Sequence, residues 1–267
     1  MAITTYDGLI ASFNNTKEMI FLKAGPATQL AGGLSSLWRV GTIPTQPAIP
    51  TATADTCTVS TLGAFPFNPP SAANTLYFAQ LQFQNTVAHG VLFMDRVVHN
   101  GGLVGNSTAP VTLDFTIPTG RLLASGGTNA RWFAEIYTDI GTTATTLTVN
   151  CTKSDGASVD IALAFGGASP ANRAGRLFPI LPSGDYSIAA LNTARLTAST
   201  LTAGSYGFVL SKLITGVWGG IANVGTAWDF AQLNLPILAS NSCCWMVLQA
   251  GNATTGTIQG TATFVEG

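Results

Sequence analysis

Residues 91–103 read Val-Leu-Phe-Met-Asp-Arg-Val-Val-His-Asn-Gly-Gly-Leu, which sets Asp95, Arg96 and His99 at the end of a long apolar run. A carboxylate, a cation and an imidazole so close together are the raw material of proton transfer. Another carboxylate, Glu135, lies in Trp132-Phe133-Ala134-Glu135-Ile136-Tyr137. Glycoside hydrolysis uses two carboxyl groups flanking one bond, and Glu135 with Asp95 or Asp139 is the pair that a jelly-roll cleft could offer. The competing reading is structural. In a chain this apolar, an ionised group must be paired or exposed. Glu135 or Asp95 is then expected to form a salt bridge with Arg96 or Arg131 across neighbouring strands. The structural reading is adopted.

Other chemistries find less support. A Ser/His/Asp triad would have to use His89 or His99, and the chain has no Gly-x-Ser-x-Gly elbow. Ser205, in Gly204-Ser205-Tyr206-Gly207, comes nearest and is expected in a turn between strands. Trp132, Tyr137, Trp218 and Trp228 could stack on a sugar ring, but aromatic residues of β proteins usually fill the core. Asp95, Asp139 and Asp155 do not make a calcium loop. There is no Cys-x-x-Cys, no histidine at ligand spacing, and no glycine signature for a nucleotide. Cys57, Cys151, Cys243 and Cys244 are read as small buried residues, with one cross-strand or intersubunit disulfide as the alternative. No residue is therefore assigned a catalytic, cofactor-binding or metal-ligating role, and no enzymatic activity is expected.

Composition points the same way. Charged residues are 9% of 267, against about 25% in ordinary domains, and the net charge is −1. The four lysines, Lys17, Lys23, Lys153 and Lys212, are scattered, so no basic patch exists for nucleic acid. The hydrophobic fraction of 46% excludes disorder. Near-zero charge favours association, so much of the surface is expected to be covered by partners. No apolar run of about 18 residues is present to span a membrane. Met-Ala-Ile-Thr-Thr-Tyr-Asp-Gly at the start lacks the basic and apolar regions of a signal peptide, so synthesis in a cytoplasm without export is expected.

The elements that must position these residues are mostly strands. Leu9, Ile10 and Phe13 predict a short helix over 6–14, with Asp7 as candidate cap. Residues 17–23 and 34–40 read as strands. Residues 41–75 hold Pro44, Pro47, Pro50, Pro66, Pro69 and Pro70, which predict an extended arm lying on a neighbouring molecule. Strands are predicted at 77–86, 91–99, 111–117, 131–138, 146–153, 159–165, 176–180, 187–201, 206–213, 243–249 and 257–264. Turn signals separate them, among them Asn100-Gly101-Gly102, Gly126-Gly127 and Ser154-Asp155-Gly156. Residues 217–239 are expected to be a packed loop with one helical turn near 228–233. The fold class is all-β, an antiparallel sandwich resembling a jelly roll. The division considered is 1–75, with the helix and arm, followed by a β-sandwich at 76–267. One continuous domain is the alternative.

Several segments resemble structural proteins of tailed-bacteriophage particles. They are Ile3-Thr4-Thr5-Tyr6-Asp7-Gly8-Leu9-Ile10-Ala11, Leu37-Trp38-Arg39, residues 95–103, Glu135-Ile136-Tyr137 and Gly256-Thr257-Ile258-Gln259-Gly260. The resemblance implies a virion protein made in a bacterial cytoplasm, and no active site. Among virion roles, a β-sandwich of low charge suits a capsid decoration, or cement, protein. A tail, baseplate or receptor-binding component with a carbohydrate-binding jelly roll is the rival. The expected partners are the major capsid protein and sister copies in a two- or three-fold homo-oligomer, with no nucleic acid and no membrane. Tyr6, Leu9, Phe13, Pro44, Pro47, Pro50, Phe65 and Phe67 are the expected interface residues.

Overall fold

The computed structural model describes residues 3–26, 28–67, 70, 74–118, 120–122, 130–184, 187–219 and 221–267. In chain order the helix α1 (Tyr6–Ser12) precedes β1 (Lys17–Ala24), β2 (Leu34–Ser36), β3 (Thr42–Ile43), β4 (Asp55–Thr56), β5 (Leu76–Asn85) and β6 (His89–His99). Then come β7 (Val111–Thr112), β8 (Ala130–Thr138), β9 (Ala144–Lys153), β10 (Ser158–Gly166), β11 (Arg176–Pro179), β12 (Ile188–Leu196) and β13 (Ser205–Gly219). The chain closes with β14 (Gly225–Trp228), α2 (Phe230–Leu233), β15 (Ile237–Leu238), β16 (Cys244–Gln249) and β17 (Thr257–Glu266).

All recorded pairings are antiparallel, and the all-β class stands. The central sheet runs β13-β8-β11-β2-β16-β6, and β6 pairs back with β13, so six strands close into a barrel. Closure removes the open edges that a flat sheet would leave. Two further sheets pack on the outside. One runs β14-β5-β17-β1-β3, with β15 also on β5; the other runs β10-β9-β12-β7.

Period-2 alternation sorts the side chains into three large cores and a small fourth cluster of Tyr77, Ala79 and Val265. Inside the barrel lie Trp38, Met94, Phe133, Leu177, Val209, Cys243, Trp245 and Val247. Outside, Phe78, Phe93 and Phe264 join Phe21 and Phe65 under the first flanking sheet. Phe78 stacks on Phe93 with centroids 4.6 Å apart. Trp132, Ile136, Tyr206 and Phe208 meet Leu147, Val149, Ile161 and Phe165 under the second.

Several expectations change in detail. Thr5, not Asp7, caps α1: its Oγ1 accepts from the Gly8 N–H at 3.0 Å, while Asp7 sits in the first turn. Ser154-Asp155-Gly156 does make a hairpin. Lys153 N–H donates to Ala157 O at 2.8 Å, and Gly156 takes φ +85° where only glycine is unstrained. Asn100-Gly101-Gly102 does not reverse the chain. Residues beyond β6 stay beside β13, with a bridge from Leu103 to Tyr206. Strand β13 runs on to Gly219, six residues past its predicted end, and β14 occupies part of the expected loop. The helical turn appears as α2, capped by Asp229. Gly126-Gly127 and Pro69 lie outside the described residues.

The proline-rich segment is anchored at several points. Some of its described residues bond to their own chain. Phe65 N–H donates to Cys244 O at 2.8 Å, Cys57 N–H to Val97 O at 3.0 Å, and Gly101 N–H to Thr51 O at 2.7 Å. The buried Lys23 ammonium donates to Pro44 O at 2.6 Å and Val40 O at 3.1 Å. Proline leaves its own carbonyl free to accept, as the Pro44 carbonyl does from Lys23, and the described residues of the segment join the sheets only through two-residue strands, β3 on β1 and β4 on β6.

Candidate functional site

The ionisable residues singled out in the sequence converge inside and beside the barrel. Arg96 is fully buried. Its Nη2 donates to Glu135 Oε2 at 2.7 Å and to Tyr137 Oη at 2.8 Å, and its Nε donates to His99 Nδ1 at 2.9 Å. Its guanidinium carbon lies 4.8 Å from the ring centroids of both Trp38 and Trp245, a cation–π arrangement in a site without water contact. The expected Arg96–Glu135 salt bridge across strands is therefore present.

A β-bulge assembles this group. The register of β6 against β13 jumps from Val98↔Leu210 to Arg96↔Ser211, leaving Val97 without its own partner. In a regular strand, residues three apart face opposite sides. The extra residue turns Arg96 and His99 to the same side, into the barrel, while Val97 and Val98 both enter the outer core.

Asp95 points the other way from Arg96 and does not approach Glu135. Both of its oxygens take the Arg121 guanidinium, and Oδ1 also accepts from the Cys243 N–H at 2.7 Å. Arg121 further donates to the carbonyls of Cys57 and Arg96. Sequence reasoning paired Asp95 with Arg96 or Arg131 and missed Arg121. No signal at residue 121 distinguishes it, because the contact joins a loop to a strand 26 positions away.

The electrostatics follow from burial. Desolvation by itself lowers the Arg96 guanidinium, but the charges of Glu135, Tyr137 and Cys57 outweigh it and hold it above its ordinary value. Burial, then the Glu135 carboxylate, push the Tyr137 hydroxyl well up. Burial raises the Cys57 thiol, and hydrogen bonding with Cys243 and His99 plus the charge of Arg96 reverse this and hold it low. Cys243 is driven well up, by burial first and by Cys57 second. All four cysteines are buried, as expected from the sequence, and within the chain none is disulfide-bonded to another.

For catalysis the arrangement offers little access. Glu135 and Asp139 line one cleft of about 220 Å³ with Arg39 and Arg173. Each carboxylate already holds an arginine: Glu135 has Arg96, and Asp139 has Arg173 at 2.5 Å. Ser205 opens β13 opposite Thr138 rather than sitting in a turn, and neither histidine is among its partners. His89 accepts from Gly251 N–H at Nδ1 (3.1 Å) and contacts Thr254 O through Nε2 (3.2 Å). Of the proposed sugar-stacking residues, Trp132 and Tyr137 are buried and Trp228 is partly buried in the core; Trp218 is 48% exposed. Among the described residues no group of three His, Cys, Asp or Glu side chains could hold a metal, and no helix is long and apolar enough to cross a membrane.

The expected interface residues divide. Phe65 and Phe67 sit in the core beside Phe93 and Phe264, and Pro44 and Pro47 are buried by their own chain. Leu9 is buried, Phe13 packs near Tyr77 and Val265, and Pro50 is half-buried. Tyr6 remains exposed. The apolar surface lies elsewhere. Ile20 (69% exposed), Ile43 (49%) and Leu62 (58%) line a groove of about 550 Å³. Ile20 and Ile43 also border a second groove of about 690 Å³ floored by Gln82, Gln84 and Gln259. Sequence reasoning missed this strip, because three residues from three separate segments form it.

No protein-family model matches the chain, and no curated protein matches it. Solved structures of virus particles are matched at low similarity. The infectious bursal disease virus Gx strain gives 8% identity over 94% of this chain and 81% of the other, with TM-score 0.17. The Gt strain gives 10% identity over 94% and 80%, with TM-score 0.18. A triple jelly roll from an archaeal virus turret gives 11% identity over 98% and 93%, with TM-score 0.19. Superpositions of that quality do not define a common fold.

Proposed function

We propose that this chain is a structural subunit of a virus particle, and more narrowly a decoration protein that binds the outer shell of a tailed-phage capsid and stabilises it. The observation that carries this reading is the exposed strip Ile20–Ile43–Leu62 on a chain of net charge −1. Apolar surface gains roughly 25 cal/mol per Å² when removed from water, and a standard interface of about 1,600 Å² would cover this strip with its flanking grooves. Repeated capsid sites then multiply a modest contact through avidity. The segments that resemble tailed-phage structural proteins support the same role.

Ile20→Lys with Leu62→Lys tests it. Both changes are at the surface and should leave the fold intact. The double variant is expected to lose its place on purified particles, read by electron microscopy and by the protein content of the particles. Undiminished incorporation would overturn the reading. A second placement, in a tail or receptor-binding part, is favoured by the half-exposed Trp218 indole, which could stack on a sugar. Density confined to the tail, with glycan binding lost in Trp218→Ala, would establish that alternative.

A further inference from the structure

Strand β10 is a regular edge that carries a single charged residue, Asp160. It pairs with β9 from Ser158 to Gly166 with no break in register, and its other side pairs with no strand among the described residues. Proteins usually guard such edges with lysine, proline, a bulge or short length. β10 has nine residues, Ser-Val-Asp-Ile-Ala-Leu-Ala-Phe-Gly, with no lysine, arginine or proline.

Its hydrogen-bonding parity is fixed by the hairpin. Lys153 N–H donates to Ala157 O, so odd-numbered residues bond to β9. The even-numbered residues Ser158, Asp160, Ala162, Ala164 and Gly166 direct their N–H and C=O groups outward. We propose that this edge pairs with the same edge of a second copy, antiparallel about a two-fold axis through Ala162, so that two four-stranded sheets join into one of eight.

The sequence is self-complementary in that register. Ala162 faces Ala162, Asp160 faces Ala164, and Ser158 faces Gly166. Each of these is a pair whose backbone groups point at one another, giving about ten inter-chain hydrogen bonds. On the face toward the core, Val159 meets Phe165 and Ile161 meets Leu163. Val159 and Leu163 are half-buried in one chain, and the partner covers what remains. Moving the axis to Asp160 would set two carboxylates against each other, which disfavours that register. The axis through Ala162 places no charge opposite a like charge.

The pairing deepens the function proposed above and rests on it for its biological use, but its test reads association alone. Size-exclusion chromatography with light scattering on the full chain is expected to show twice the 27.5 kDa chain mass. Ala162→Lys and Ala162→Glu each place like charges across the axis at an exposed position, and each should run as a monomer with an unchanged circular dichroism spectrum. Mixing the two should restore the dimer, because lysine then faces glutamate. A misfolded variant would not be rescued in this way. A monomeric wild type, or an oligomer that Ala162→Lys leaves intact, overturns the pairing. A dimer that behaves as expected but is absent from virus particles supports the pairing and removes the virion role.

Discussion

Arg96 shows what a charge requires when it is buried in a barrel. Its hydrogen bonds to Glu135, Tyr137 and His99 and its two indole neighbours offset a desolvation cost of several kcal/mol. Removing one partner strands the other. Arg96→Met should destabilise the fold by about 3–5 kcal/mol, because Glu135 is left charged and dry. Adding Glu135→Leu should recover much of that loss. Urea unfolding of the single and double variants measures both. The Arg96–Glu135 contact was legible in the sequence, since so few ionisable groups occur in so apolar a chain. The role of His99 was not legible, because a one-residue bulge reverses which side chains share a face.

At the scale of elements, the ends of β6 are fixed by polar contacts with other segments. His89, its first residue, clamps the turn that joins β16 to β17 by accepting from Gly251 and contacting Thr254. The Gly251 N–H points at Nδ1, so the ring is bound in its neutral form. Burial lowers the His89 imidazole from its ordinary value. The unfolded chain then takes up a proton near pH 6.5 before the folded chain does. This contribution to stability is complete above that pH and is lost progressively as pH falls from there through the lower folded-state value. Wild type should therefore lose stability between pH 7.5 and pH 5 more steeply than His89→Gln, as thermal unfolding across that range would show. The strands themselves were legible from alternation, and most lie within two residues of their expected bounds. The long tail of β13 was not, because Gly216 and Gly219 flank two consecutive apolar residues, Val217 and Trp218, and no alternation shows. They are strand only because β6 lies alongside.

At the scale of the molecule, the first 75 residues are woven through the rest. β1 lies between β17 and β3 in one sheet, and β2 joins β11 to β16 in the barrel. Phe21, Trp38, Phe65 and Phe67 fill cores whose other walls come from residues beyond 75. A fragment of residues 76–267 should therefore fail to fold cooperatively. It would lack two barrel contacts and expose Phe78, Phe93 and Phe264. Amide proton dispersion in NMR spectra checks this: a well-dispersed spectrum from the fragment would establish a separate domain.

The sequence alone determined the class: alternation, turn residues and scarce charge require an antiparallel all-β molecule whose buried carboxylates are paired. These are local properties, set by which side of a strand each residue faces. Tertiary structure decided what local patterns cannot carry. It closed six strands into a barrel, tied the proline-rich segment to its own chain at a few points and exchanged the expected partner of Asp95 for Arg121. It also left Ile20, Ile43 and Leu62 together at the surface. Each of these depends on contacts between residues far apart in the chain, and no period or motif within a single segment encodes them.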